Sequence, residues 1–261
     1  MDTAVAPEEK VEKAEGLEPA ESVDPIDPRD RLIVALDFPS KEAAMELVDQ
    51  LQGNCRWFKV GMELYYAAGN AVVEHLRERG FEVFLDLKLH DIPNTVAGAV
   101  KTVARAGASL LTVHAGGGEA MLRAAAEAAS GPDAPRLLAV TVLTSMDAVQ
   151  LKGAGVCDAP DVQVLRLAKL ARGAGIDGLV CSAEEVGAVR EAMGPGLHGK
   201  GPLLVVPGIR PAGVDVGDQM RVATPGEAIR RGSSMLVVGR PITQAEDPAK
   251  AAAGILREMR G

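Results

Sequence analysis

Eight short runs of β-branched and aliphatic residues, each followed by a longer stretch with helical spacing, leave this chain few folds to choose from. The runs are Leu32–Leu36, Trp57–Val60, Glu82–Leu87, Leu110–Val113, Leu137–Val142, Gly178–Cys181, Leu203–Val206 and Met235–Val238. Most are nearly apolar from end to end, as strands are when both faces of a parallel sheet are covered. Helix signals fill the intervals. Ser40 caps a helix that stops at Gly53, Ser182 with Glu185 and Thr224 with Glu227 make capping boxes, and Asp247-Pro248 opens the last helix. Gly80 and Gly107 stand where a helix ends on a left-handed residue. Eight such units in a little over two hundred residues predict a closed α/β barrel of the (β/α)8 TIM type. An open doubly wound sheet would alternate in the same way, since counting strands does not prove closure. The glycine-rich turn of dinucleotide-binding sheets is missing, because Leu32–Leu36 leads into Asp-Phe-Pro-Ser.

Composition separates that body from its leader. The formal charge is −8, but residues 1–28 hold nine acids against Lys10 and Lys13, or −7, which leaves −8 − (−7) = −1 for the remainder. The leader also carries Pro7, Pro19, Pro25, Pro28 and Gly16, no aromatic residue and little periodicity. It reads as a disordered acidic extension over 1–28, with the barrel domain over 29–261. It has neither the basic start nor the apolar run of a signal peptide, and no segment is long and apolar enough to cross a bilayer. The nearly neutral body has no basic stripe for nucleic acid and would not repel an anionic small molecule. Cys55, Cys157 and Cys181 form neither a disulfide framework nor a metal clip, and read as packing residues in a cytoplasmic protein. The four histidines are dispersed, so no zinc site is expected.

The ten residues from Asp86 to Thr95, Asp-Leu-Lys-Leu-His-Asp-Ile-Pro-Asn-Thr, carry the chemistry. In a strand, residues two apart share a face, so Asp86 and Lys88 point the same way, with Asp91 just beyond. Burying unpaired charge is costly, so alternating charges at a strand end are either a capping ion pair or a working site. Other polar residues gather at the same end of the predicted strands: Asp37 after the first, Lys59 late in the second, Thr144 after the fifth, Arg210 and Arg240 after the seventh and eighth. Active sites of such barrels lie at that end. Convergence there favours a site over a set of independent surface pairs.

A second cluster joins Val206-Pro207-Gly208-Ile209-Arg210 to Val238-Gly239-Arg240-Pro241. Barrels of this type often hold a phosphate between the loops after strands seven and eight, using backbone N–H groups. Gly239 permits close approach, and Arg240 offers a planar fork for phosphate oxygens. Residues 210–219, polar and glycine-bearing, have the composition of a mobile lid.

With these motifs in this order, the chain from about Arg31 onward resembles the orotidine 5′-phosphate decarboxylases in their short monofunctional bacterial form. The resemblance rests on Ala35-Leu36-Asp37, Phe58-Lys59-Val60-Gly61, the run from Asp86, Leu143-Thr144-Ser145-Met146, Val180-Cys181-Ser182, Pro207-Gly208-Ile209-Arg210 and Gly239-Arg240-Pro241. It implies a (β/α)8 barrel that converts orotidine 5′-phosphate to UMP and CO2 in pyrimidine synthesis, without metal or organic cofactor. It also implies that Lys59, Asp86, Lys88 and Asp91 form the family's alternating charge array, with Lys88 as proton donor. Asp37 and Lys59 would meet the ribose, Thr144 the pyrimidine edge, and Arg210, Gln219, Gly239 and Arg240 the phosphate. Asp91, Ile92 and Thr95 would reach a neighbouring subunit's site, which implies a homodimer.

Two other readings compete. One is a related barrel such as 3-keto-L-gulonate 6-phosphate decarboxylase or hexulose-phosphate synthase, which share an Asp-x-Lys-x-x-Asp pattern but use Mg2+. The other is a non-catalytic phosphate-binding barrel, which would tolerate loss of Lys88. His90 and His114 lie near the expected site and are assigned structural hydrogen bonding, not proton transfer.

Overall fold

The computed structural model describes residues 26–51, 53–196, 201–211 and 222–260. Most of the acidic leader, Gln219, much of the expected lid and part of the glycine-rich stretch Gly194–Gly201 therefore lie outside the described residues. A 3-10 turn, Pro28–Asp30, is capped by Asp27 and leads into the barrel, and a second, Ala115–Gly117, follows the fourth strand.

Eight parallel strands close on themselves in sequence order: β1 (Leu32–Leu36), β2 (Trp57–Gly61), β3 (Glu82–Leu89), β4 (Leu110–His114), β5 (Arg136–Val140), β6 (Gly178–Val180), β7 (Leu203–Val206) and β8 (Met235–Val238). Closure is made by β1 against β8, with Leu32 opposite Leu236 and Val34 opposite Val238. The open-sheet alternative is thereby excluded. Every predicted strand is present; β1, β7 and β8 have the expected bounds, and the other five differ at an end by one or two residues. Val142 and Cys181 fall in the loops after β5 and β6, and β3 runs on to Leu89.

The helices are α1 (Lys41–Gln50), α2 (Met62–Ala68), α3 (Asn70–Glu78), α4 (Pro93–Arg105), α5 (Gly118–Ala128), α6 (Ala148–Gly153), α7 (Pro160–Gly173), α8 (Val186–Met193), α9 (Pro225–Arg230), α10 (Arg240–Thr243) and α11 (Pro248–Glu258). Ser40 caps α1, Thr224 and Glu227 form the reciprocal box of α9, and Asp247 caps α11. Gly80 and Gly107 have φ of +82° and +81°. The Ser182–Glu185 pairing also exists, with the Ser182 hydroxyl and main-chain N–H both donating to the Glu185 carboxylate. It closes a turn, however, and α8 begins only at Val186. Side chains that bond one another locally can satisfy a turn without starting a helix.

Period-two alternation splits the apolar residues into two cores. Ile33, Ala35, Phe84, Leu110, Leu138, Leu203, Val205, Met235 and Val237 fill the barrel interior. The alternate residues, such as Leu32, Val34, Leu36, Val83 and Leu85, pack outward against one face of each helix. On α4 that face is Val96, Val100 and Val103, spaced three and four apart. Gly178 on β6 is required by the inner core, since a Cβ there would overlap Leu138 and the Leu137 carbonyl. Cys55 and Cys181 are buried, as packing residues should be, and burial pushes the Cys55 thiol up to about 12. Cys157 is exposed and does not pack.

Candidate active site

The filled interior ends in a polar layer at the C-terminal mouth of the barrel. Asp37 follows β1, Lys59 projects from β2, Asp86 and Lys88 from β3, and Thr112 from β4. The Lys59 ammonium lies 2.9 Å from Asp37 Oδ1 and 3.8 Å from Asp86 Oδ2. The Lys88 ammonium donates to both Asp86 oxygens at 2.9 Å. The four form an unbroken series, Asp37–Lys59–Asp86–Lys88, with equal numbers of each charge. Lys59 is buried and only 14% of the Asp86 side chain is exposed, so each depends on its neighbours for compensation. Gly61 belongs to the same design. A Cβ there would stand 3.0 Å from Lys59 Nζ and 3.1 Å from Asp37 Oδ1, crowding the pair.

How β3 delivers two charges to one place is visible in its pairing. Leu85 lies opposite Leu111, and the next matched pair is Leu89 with Val113, so Asp86, Leu87 and Lys88 together face the single residue Thr112. Two extra residues preserve the alternation of faces, as the sequence reading assumed, but compress the spacing. Lys88 takes φ +51°, the only positive value among the described non-glycine residues. An unbranched side chain in that conformation is strained, and strain of this kind gathers at functional sites. The Thr112 hydroxyl fits into the bulge, accepting from the Lys88 main-chain N–H at 2.8 Å and donating to Asp86 Oδ1 at 3.0 Å. Sequence reading passed over Thr112. The available signal was its parity, since Leu110, Thr112 and His114 must share the inward face of β4.

Above this layer lies a cavity of about 160 Å3. Lys59, Asp86, Lys88 and Thr144 line it together with an apolar wall that includes Phe84, Val140, Val180, Pro207 and Val237. The apolar wall was not foreseen as part of the site. A flat, largely unsaturated ring could lie on it with its polar edge toward the charges.

The other expected residues divide into those near the mouth and those apart from the array. Gly239 faces β1, where a Cβ would meet Ala35 at 3.6 Å and Asp37 Oδ2 at 3.9 Å. Arg240 is exposed at the start of α10, and Arg210 is buried, its Nη1 donating to the Ile209 carbonyl at 2.9 Å. Neither arginine lines the cavity. Asp91 is exposed and accepts a 2.6 Å bond from the Ile92 N–H, and among the described residues it forms no ion pair with Lys59 or Lys88 of its own chain. Ile92 is 66% exposed, and Thr95 beside it on the first turn of α4 is also exposed.

His90 and His114 stack at the rim, with ring centroids 5.1 Å apart and planes inclined by 14°. His114 Nδ1 accepts from the Gly116 N–H at 3.2 Å, the structural bond expected of it. Burial, helped by the neighbouring His90 and Lys88, holds the His114 imidazole below its ordinary range. Among the described residues no three His, Cys, Asp or Glu side chains cluster as a metal-ligand group. No helix among them is long and apolar enough to cross a membrane.

Residues 30–255 match the model of the family described as orotidine 5′-phosphate decarboxylase / HUMPS. The chain is 54% identical over 228 residues to an orotidine 5′-phosphate decarboxylase of Anaeromyxobacter sp. (strain K), covering 87% of this chain and 97% of that protein. It is 54% identical over 230 residues to one of Halorhodospira halophila, covering 88% and 95%. Among solved structures, the orotidine 5′-phosphate decarboxylase of Lactobacillus acidophilus superposes with a TM-score of 0.77 at 41% identity, covering 88% of this chain and 99% of that one.

Proposed function

The chain belongs to the orotidine 5′-phosphate decarboxylase / HUMPS family, and we propose that it decarboxylates orotidine 5′-phosphate to UMP as the last step of pyrimidine nucleotide synthesis in the cytoplasm. The observation that carries this reading is the Asp86–Lys88 pair, coupled to Lys59, at the floor of a cavity with an apolar wall. The family description names a second group, and two features favour the decarboxylase. The relatives at 54% identity carry that name. The cavity aspartate and Asp37 are also each engaged by a lysine, an arrangement that leaves little free carboxylate for a dication.

Loss of CO2 leaves an electron pair on a ring carbon with no conjugated sink. The fixed Lys88 ammonium stabilises that charge as it develops and then donates a proton to the carbon. Asp86 stands beside the departing carboxylate and holds Lys88 in place; Lys59 keeps the array balanced and, with Asp37, meets the ribose. Asp91, Ile92 and Thr95 are exposed at the start of α4 and complete the site of a second copy, so the enzyme is a homodimer in which the partner subunit's Asp91 ends the charge series. Thr144 meets the pyrimidine edge, and Arg210, Gln219, Gly239 and Arg240 hold the phosphate. Neither metal nor organic cofactor takes part. The catalytic barrel spans 29–261, behind an acidic extension over 1–28.

The test is incubation of purified protein with orotidine 5′-phosphate in the presence of a chelator, following the ultraviolet change as the carboxylate leaves. Full activity in chelator is expected. An inactive parent protein would reject the reading, and activity restored by Mg2+ would move it to the metal-using relatives.

A further inference from the structure

The bulge opposite Thr112 is not explained by the charge array. A run of alternating charges could end a regular strand, yet β3 adds two residues and places Lys88 in a left-handed conformation at this one point. A fully extended strand sets residues i and i+2 roughly 6.5–7 Å apart along its axis. The flexible four-carbon stem of lysine can bridge that separation in several ways, so a regular strand would not fix where the ammonium stands. The bulge shortens the separation, and something must hold the shortened backbone in place.

Thr112 is the side chain in position to do so. It is fully buried, and its hydroxyl has two partners, the Lys88 main-chain N–H and the Asp86 carboxylate. The direction of each bond is settled by chemistry. An amide N–H can only donate, so the hydroxyl oxygen accepts from Lys88. An ionised carboxylate can only accept, so the hydroxyl proton goes to Asp86. A hydroxyl that accepts from one group is polarised toward the next, which strengthens its bond to the carboxylate. One side chain thus ties the backbone of the lysine to the carboxylate that its own ammonium grips.

We propose that Thr112 is a positioning residue for the decarboxylation: its hydroxyl holds the left-handed turn at Lys88 and the rotation of the Asp86 carboxylate, and so sets where the Lys88 ammonium stands. This inference rests on the functional reading above and deepens it. The nearest structural alternative is a threonine that merely satisfies a buried amide. That role would cost stability when lost but leave the folded enzyme as fast as before.

Thr112→Val keeps the shape and removes the hydroxyl, whereas Thr112→Ser keeps the hydroxyl. Turnover of Thr112→Val is expected to fall by about 10–100-fold with KM within about twofold, and Thr112→Ser to stay within about threefold of the parent. A valine variant that is less thermostable but turns over within twofold of the parent would overturn the proposal. So would a serine variant as slow as the valine one. Should Thr112→Val fail to fold, Thr112→Ala takes its place, leaving space where valine sets methyls against a carboxylate. On the parent protein, the Lys88 amide is expected to resist hydrogen exchange, and exchange at the rate of an open loop would also refute the proposal. An inactive parent would count against the functional reading, while the exchange measurement would still judge the geometry.

Discussion

At the C-terminal mouth of the barrel, Lys59 and Lys88 are neutralised by carboxylates; at the opposite end, Arg31 and Arg190 are held by neutral oxygens. Arg31 donates from Nε to the Ser234 carbonyl at 2.9 Å and from Nη2 to that of Ser233 at 2.5 Å. Arg190 donates to the carbonyls of Gly232 and Pro202 at 2.9 and 2.7 Å, and to Ser234 Oγ at 2.8 Å. No carboxylate pairs with either guanidinium among the described residues, and burial lowers the pKa of both. A carbonyl locked in the chain can satisfy a donor but cannot hand it on. The lower end is therefore a clamp that ties β1, β7 and β8 to α8. The upper ions compensate one another beside open space, so an incoming charged group can enter their balance. Charge at one end secures the barrel, and at the other it is available for chemistry.

Substitutions at the two ends should separate activity from stability, and the largest effect is expected at the top. Lys88→Ala should lower turnover per folded molecule by about 10^3-fold or more, a loss far larger than the modest drop in stability from leaving Asp86 to Lys59 and Thr112. Substantial residual turnover would place the proton donor elsewhere. Arg190→Ala should do the reverse. Orphaning the acceptors of a half-buried guanidinium should cost about 2–3 kcal/mol of stability in denaturant unfolding, with turnover per folded molecule unchanged. A slower folded enzyme would show that the two ends communicate.

Arg240→Ala tests how far the upper site extends. If phosphate binding helps close the site, kcat/KM should fall by about 10–100-fold with kcat sharing in the loss. Poorer saturation at unchanged kcat would confine Arg240 to simple binding. The smallest effect concerns the histidine pair. Because the folded state depresses the His114 pKa, the unfolded chain takes up the proton first once pH drops below about 6.5. Stability should therefore be complete above that pH and decline as the pH is lowered further, a slope that His114→Phe should reduce. An unaltered slope in the variant would assign it to another group.

Several parts of this site were readable without coordinates because they depend on local periodicity. Asp86 and Lys88 share a face by strand alternation, and Asp37, Lys59, Thr144 and Gly239 collect at one end because parallel strands all point one way. The caps at Ser40, Thr224 and Asp247 are short-range hydrogen bonds and appear where their residues predict. Ser182 and Glu185 bond as expected but begin no helix, since the same local pair can also close a turn. The cavity wall was missed because Val140, Val180 and Val237 are ordinary core residues until the barrel curves them around one space.

Sequence alone determined the eight-unit architecture, the end at which the polar residues meet and the shared face of Asp86 and Lys88, all consequences of periodicity along the chain. Tertiary structure decided the closure of β8 on β1, the two-residue bulge with its left-handed Lys88, the place of Thr112 and the outward direction of Asp91. The physical reason is that a strand's periodicity is its own property, whereas its register belongs to the neighbour it bonds. No reading of β3 by itself reveals that three of its residues will share one partner on β4.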